Sequence, residues 1–296
     1  MCRLFGMHAG HVPVTATFWL LTAPDSLAQQ SRREADGFGI GAYDAEGRPV
    51  IEKAPIAAYE DKAFAAEARD LASITFIAHV RYASTGGNLK VNTHPFEQDN
   101  RLLAHNGVVQ DLDRLDARLR QLGVMDLVKG ETDSERVFAL ITAEIRSNGG
   151  DVEAAIASAL GWVAENLRLF AVNILLANAT DIWAVRYPDT HPLYVLELSG
   201  QDMRGGMQTH RISVRSEELA AGQRPAVLFA TEKMDDNPGW RLMDSGEVLH
   251  VDSSLAVHSS RPLPAAPRYP LTLEDLDERA AASQKPLHAG AAGPTA

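Results

Sequence analysis

Two hydrophobic periods alternate along the chain. The run Ile74-Thr75-Phe76-Ile77-Ala78-His79-Val80 is the clearest buried strand, short and nearly continuous in its apolar character. Arg3 to His8 reads as a second short strand at the N-terminus. Gly37 to Tyr43 alternates small and apolar residues, and Asp44-Ala45-Glu46-Gly47 supplies a turn, which together predict a hairpin. Phe18 to Leu21 form an apolar segment broken at Pro24, and Asp25 or Ser26 then caps a helix through Gln30. Helical spacing takes over at residues 60–72, where Phe64, Ala68 and Leu71 share a face. Asp111 to Leu122 carries Leu112, Leu115 and Leu119 at the same period. A helix from about Ser134 carries Val137, Phe138, Ile141 and Ile145 as far as Gly149-Gly150, and the next begins at Asp151 with Ile156, Leu160 and Val163.

From Phe170 the period returns to that of strands. Ala171 to Ala177 and Ile182 to Tyr187 flank a turn at Asn178 to Asp181, and Leu193 to Leu198, Ile212 to Arg215, Ala226 to Ala230 and Glu247 to Val251 follow. Strands on both sides of a consecutive helical pair predict an α+β domain, antiparallel sheet packed against helices. We place this domain at residues 1–258. The remainder, 259–296, is a Pro- and Ala-rich tail with a short helix near Leu273 to Ala281, and residues 284–296 are expected to be disordered.

Composition narrows the class. With 39 acidic against 28 basic residues and a net charge of −11 over 296 residues, the chain lacks the basic face that nucleic acid demands. No apolar run reaches the roughly 18–20 residues that span a bilayer. Pro13, His8 and His11 spoil the reading of the N-terminus as a secretory signal. A cytoplasmic protein is expected. Cys2 is the one cysteine, which excludes a disulfide framework and a zinc site built on several thiolates.

Its position carries chemistry. Removal of Met1 would leave Cys2 with an α-amine of pKa about 7.7–8.0 beside a thiol of about 8.5, so nucleophile and base would share one residue. The plain alternative is an ordinary cysteine at a tolerant terminus. Further on, Arg81 leaves the strong strand into Tyr82-Ala83-Ser84-Thr85-Gly86-Gly87. A guanidinium there can grip a carboxylate through two parallel hydrogen bonds, with Ser84 and Thr85 completing the grip, or serve a structural ion pair. Asn106 and Gly107, after His105, offer an amide and an unhindered backbone N–H suited to an oxyanion; Asn-Gly is equally a turn dipeptide. Thr132 with Glu135 forms a capping box, which leaves Asp133 or Glu131 to meet an ammonium.

In order and spacing, Cys2, His79-Val80-Arg81-Tyr82-Ala83-Ser84-Thr85, His105-Asn106-Gly107 and Thr132-Asp133-Ser134-Glu135 resemble the class II glutamine amidotransferases. Asp36 to Gly41 and Asn92-Thr93-His94-Pro95 look like the same family, and the likeness covers most of residues 2–256. The resemblance implies an N-terminal nucleophile hydrolase fold, a four-layer αββα sandwich with two antiparallel sheets. It implies Cys2 as nucleophile, Asn106 and Gly107 as oxyanion hole, Arg81 on the α-carboxylate and Asp133 on the α-ammonium of a γ-glutamyl substrate. No metal or other cofactor is implied. Tyr82 and Thr85 depart from the tryptophan and histidine frequent in the family's synthases. Glu232 to Arg241 resembles small standalone members such as the amidohydrolase of ergothioneine biosynthesis. The expected function is therefore cleavage of a γ-glutamyl amide through a Cys2 thioester. The alternative is a binding subunit that supplies ammonia to, or regulates, a separate synthetase. A homo-oligomer is compatible with either. A serine or metal hydrolase fits less well, because no His-x-x-x-His pair sits on a credible helix.

Overall fold

Strands that are apolar on both faces need cover on both faces, and the chain meets this by stacking two sheets between helices. A computed structural model describes residues 2–32, 36–81, 87–199, 225–263 and 265–284. The N-terminal half holds β1 (Arg3–His8), β2 (Val14–Thr15), α1 (Leu27–Gln30), β3 (Gly37–Tyr43), β4 (Pro49–Ala54), α2 (Lys62–Asp70), β5 (Ala72–Ser73) and β6 (Thr75–Arg81). Next come β7 (Phe96–Gln98), β8 (Arg101–Val109), α3 (Leu112–Leu122), α4 (Asp133–Ser147) and α5 (Val152–Asn166). Then follow β9 (Arg168–Ala177), β10 (Ile182–Arg186), β11 (Tyr194–Leu198), β12 (Ala226–Ala230) and β13 (Arg241–Leu242). The chain continues through β14 (Glu247–Val251), β15 (Val257–Ser260), β16 (Tyr269–Pro270) and α6 (Glu278–Gln284).

One sheet runs β13-β11-β12-β1-β6-β3-β4 and the other β15-β14-β10-β9-β8-β7, every neighbouring pair antiparallel. Three apolar layers hold the stack. Phe5, Phe38, Phe76 and Val80 pack outward on Leu20, Leu27 and Phe64. Leu4, Ile77, Leu102, Leu175 and Phe229 fill the space between the sheets. Leu103, Ile174, Leu176 and Val185 pack on α4 and α5 through Phe138, Ile141, Ile156 and Leu160. The result is the four-layer αββα sandwich. Truncating one of these side chains, such as Phe138 to Ala, costs about 3–5 kcal/mol, a large share of a margin of about 5–15 kcal/mol.

The two long helices α4 and α5 start where their capping residues stand. Asp151 accepts from the Ala154 N–H at 3.0 Å, and Thr132 accepts from the Glu135 N–H at 3.3 Å, each worth about 1 kcal/mol. Glu135 departs from a full capping box, since its carboxylate accepts from the Gly130 N–H at 2.6 Å instead of returning to Thr132. Phe18–Thr22 forms a wide helical turn, closed by Ala23 N–H to the Phe18 carbonyl at 2.7 Å, that buries Trp19 and Leu20. The strand expected at Ile212 to Arg215 lies outside the described residues.

The boundary drawn at residue 258 is not where packing stops. β15 pairs with β14 through Ser260, and β16 runs parallel to the start of β9. Leu271, Leu276 and Ala280 are buried against Val108, Phe170 and Ala171. Alternating apolar residues too sparse to register as a period still cover this edge. The expected helix near Leu273 to Ala281 resolves into a single tight turn at Leu273–Asp275 followed by α6.

Candidate functional site

The polar end of the inter-sheet layer gathers the residues singled out in the sequence. Side chains two apart on a strand share a face. Cys2 therefore falls on the side of Leu4, Arg81 on that of Ile77, and Asn106 on that of Ala104, all toward the space between the sheets. β1 and β6 pair with Arg3 opposite Val80, and one further step of that register sets Cys2 beside Arg81. From the facing sheet, Asn106 closes the cluster: its Nδ2 donates to the Cys2 carbonyl oxygen at 3.0 Å. Residues 104 positions apart in sequence thus meet between the two sheets, both buried.

Arg81 is only 4 % exposed. Burial pushes its guanidinium below the ordinary value, while Cys2, Asp36 and Asp133 pull it back up and Arg279 adds to the depression. Arg81 and Cys2 thus lie within electrostatic reach of each other, and a cation near a thiol favours its ionised form. Arg81 also donates from Nη1 to the Gly87 carbonyl at 3.2 Å. Asn92 donates to the same carbonyl at 3.1 Å, and Glu131 accepts from the Gly87 N–H at 3.1 Å, so the strand's exit is tied to the segment before α4. Ser84 and Thr85 lie outside the described residues.

Asp133 occupies the first turn of α4, where the helix dipole favours an anion. The sequence left its carboxylate uncommitted; in the fold Oδ2 accepts from the Val109 N–H and Oδ1 from the Ser134 N–H, each at 2.9 Å. Oδ1 also accepts from Ser134 Oγ at 3.3 Å, so Oδ2 is the oxygen with one donor among the described residues and a second lone pair to offer. Glu131, the other candidate, is exposed and engaged with Gly87 and Asn92, so of these two Asp133 is the one whose charge reaches Arg81.

Gly107 is dictated by crowding as well as by chemistry. Its φ is +156°, and a Cβ there would fall inside the Ala171 carbonyl of β9 and 2.9 Å from His105 Nε2. His105 faces the helical layer and bonds Ser134 Oγ through Nδ1 at 2.8 Å, which links the Asn106-Gly107 segment to α4. His79 and His105 lie within β6 and β8. Burial lowers the pKa of His79 to about 3 and that of His94 well below the ordinary value. Burial also lowers His105, against the pull of Asp133. All three rings are neutral near pH 7. Among the described residues, no three His, Cys, Asp or Glu side chains converge to hold a metal ion. Nor is any helix among them long and apolar enough to cross a membrane.

On the other side of β1, Thr231 exchanges hydrogen bonds with Leu4, and Glu232 pairs with the fully buried Arg3 at 2.8 Å. Beyond Glu232 the chain enters a cleft of about 340 Å³ lined by Asp25, Lys233, Asp235 and Asp236. Sequence reasoning had flagged the Glu232 to Arg241 segment without locating it. The sheet order β12-β1-β6 sets it across β1 from Arg81. Sequence reasoning also missed Arg279, whose guanidinium lies 3.7 Å from Asp36. An isolated arginine in a Pro- and Ala-rich stretch carries no pattern that would have found it.

Comparison with known proteins identifies the family of the chain. Residues 1–266 match the family described as glutamine amidotransferases class-II. The γ-glutamyl-hercynylcysteine sulfoxide hydrolase of Mycolicibacterium smegmatis is 31 % identical over 232 residues, 75 % of this chain and 83 % of the relative. Its namesake from Mycobacterium tuberculosis is 30 % identical over 250 residues, 81 % and 88 % of the two chains. The solved glutamine phosphoribosylpyrophosphate amidotransferase of B. subtilis superposes with a TM-score of 0.62 at 21 % identity, covering 90 % of this chain and 50 % of that one, a likeness of fold. On the profile match and the mycobacterial relatives together, the chain belongs to the class II glutamine amidotransferase family.

Proposed function

We propose that this protein hydrolyses the γ-glutamyl amide bond of a small molecule through a thioester on Cys2. The observation that carries the reading is the hydrogen bond from Asn106 Nδ2 to the Cys2 carbonyl at 3.0 Å, which brings the amide-and-glycine segment to the backbone of Cys2, with Arg81 in the adjacent strand. After removal of Met1, the Cys2 α-amine accepts the thiol proton as sulfur attacks the γ-carbonyl. The C–S bond forms and the carbonyl electrons move to oxygen, where the Asn106 amide and the Gly107 N–H hold them. Collapse breaks the C–N bond, and the protonated α-amine returns its proton to the leaving amine. Water then cleaves the thioester, releases glutamate and restores the thiol. Arg81 holds the substrate's α-carboxylate and Asp133 its α-ammonium, with Ser84 and Thr85 expected to complete the grip.

The head group is common to all γ-glutamyl compounds, so the leaving side sets specificity. The names of the mycobacterial relatives, γ-glutamyl-hercynylcysteine sulfoxide hydrolases, support a leaving amine larger than ammonia. The test is glutamate release from glutamine and a panel of bulky γ-glutamyl amides, on protein of verified mass lacking Met1. Faster release from a bulky amide supports the reading. Release from glutamine alone would make the chain an ammonia donor to a synthetase, and silence on all substrates would favour a binding subunit.

A further inference from the structure

The C-terminal segment returns to the site from beyond residue 266, where the family match ends. β16 adds to the start of β9, and Leu271, Leu276 and Ala280 seat the segment on Val108, Phe170 and Ala171. Val108 follows Gly107 directly, and the Ala171 carbonyl is the group that forbids a Cβ at Gly107. Asp277 caps α6 by accepting from the Ala280 N–H at 2.8 Å. The anchored helix carries Arg279 to within 3.7 Å of Asp36 Oδ2. Asp36 in turn donates its backbone N–H to the Arg81 carbonyl at 3.2 Å, next to the Gly37–Arg81 register pair.

We propose that Arg279 is a positioning residue that counterbalances Asp36, so that the anion beside Arg81 does not repel the carboxylate of an incoming γ-glutamyl head. The inference rests on Arg81 holding that α-carboxylate. The charges around Arg81 explain the need. Asp36 and Asp133 together would set two negative groups around one guanidinium, and a substrate carboxylate would be the third. With Arg279 and the substrate's own α-ammonium, which meets Asp133, the positive side rises to three and balances Asp36, Asp133 and the incoming carboxylate. The same arrangement explains why the segment is packed down by three buried apolar side chains rather than left as a tail. With Arg279 62 % exposed and Asp36 32 % exposed, water screens the pair, so the effect is moderate and sensitive to salt.

The experiment compares wild type, Arg279→Ala, Arg279→Lys, Asp36→Asn and the Asp36→Asn/Arg279→Ala double variant on the best γ-glutamyl amide. It repeats the series on the analogue whose α-carboxyl is a carboxamide. Arg279→Ala should raise KM about three- to fivefold at low salt, with kcat within about twofold of wild type. The lysine variant should restore KM, as should the double variant, because removing Asp36 removes what Arg279 offsets. The carboxamide analogue should show no dependence on Arg279. An unchanged KM in Arg279→Ala, or an equal rise on both substrates, or no restoration in the double variant, would overturn the proposal while leaving the hydrolase reading intact. Absence of turnover by wild type on every γ-glutamyl compound would overturn that reading and this inference with it.

Discussion

Replacing Asn106 by Ala tests whether its amide serves the reaction or only the fold. In the fold its Nδ2 donates to the Cys2 carbonyl at 3.0 Å, and the residue is 1 % exposed. Losing that donor leaves a buried carbonyl unpaired, at a cost of about 1–3 kcal/mol. Domains of this kind hold about 5–15 kcal/mol of stability, so even the worst pairing of these ranges leaves about 2 kcal/mol and roughly 97 % folded protein. Unfolding therefore accounts for a loss of only a few per cent in rate. An oxyanion donor, by contrast, is worth about 100- to 1,000-fold in kcat. The assay is kcat at saturating γ-glutamyl substrate, beside a thermal melt of the same sample. Asn106→Asp should fare no better, because it sets a carboxylate against both the Cys2 carbonyl and the developing oxyanion. A kcat within tenfold of wild type, with a lowered melting temperature, would show that Asn106 only ties the sheets together.

Three further outcomes follow from other contacts. Gly107→Ala must move the β8–β9 pair, because its Cβ has no space against the Ala171 carbonyl and φ stays positive; about 3 kcal/mol of destabilisation, a drop of roughly 6–12 °C in Tm, is expected, and an unchanged melt would refute the packing argument. Asp133→Asn keeps the size but replaces a charged acceptor by a group that points one N–H at a backbone N–H, so KM for γ-glutamyl substrates should rise at least tenfold, and an unchanged KM would remove Asp133 from substrate binding. Because His79, His94 and His105 titrate lower folded than unfolded, the unfolded chain takes up protons first. Stability is full above about pH 6.5 and falls below it, by up to about 1.4 kcal/mol per pH unit for each ring; denaturation midpoints that stay level between pH 7 and pH 5 would contradict their burial as neutral rings.

The parts of the fold that were legible are those where one period dominates. β12 and β14 match the sequence reading, and α3 and α4 start within a residue of it, because the apolar period is unbroken there and, for α4, Thr132 caps the first turn. β8 was half visible. Leu102 to Ala104 read as apolar, but His105 and Asn106 interrupt the pattern because this strand leads from the core into the site. Its hairpin with β7 turns on Asp99 and Asn100 at φ 51° and 58°, and that dipeptide was the signal to follow. In the site, residue types announced what they could bind, whereas the partners came from tertiary register. Nothing local to Asp133 reveals that the Val109 N–H occupies one of its oxygens. Nothing near residue 279 reveals Asp36, 243 positions away in sequence, because that contact depends on β16 docking at the start of β9.

The central claim is that Cys2, as the first residue of the mature chain, carries the γ-glutamyl group during turnover. Intact-mass and peptide analysis of protein quenched in the steady state measures this directly. A γ-glutamyl adduct confined to the peptide that begins at Cys2, absent from Cys2→Ala, is the result predicted. Turnover by protein that retains Met1, or by Cys2→Ala, would contradict it.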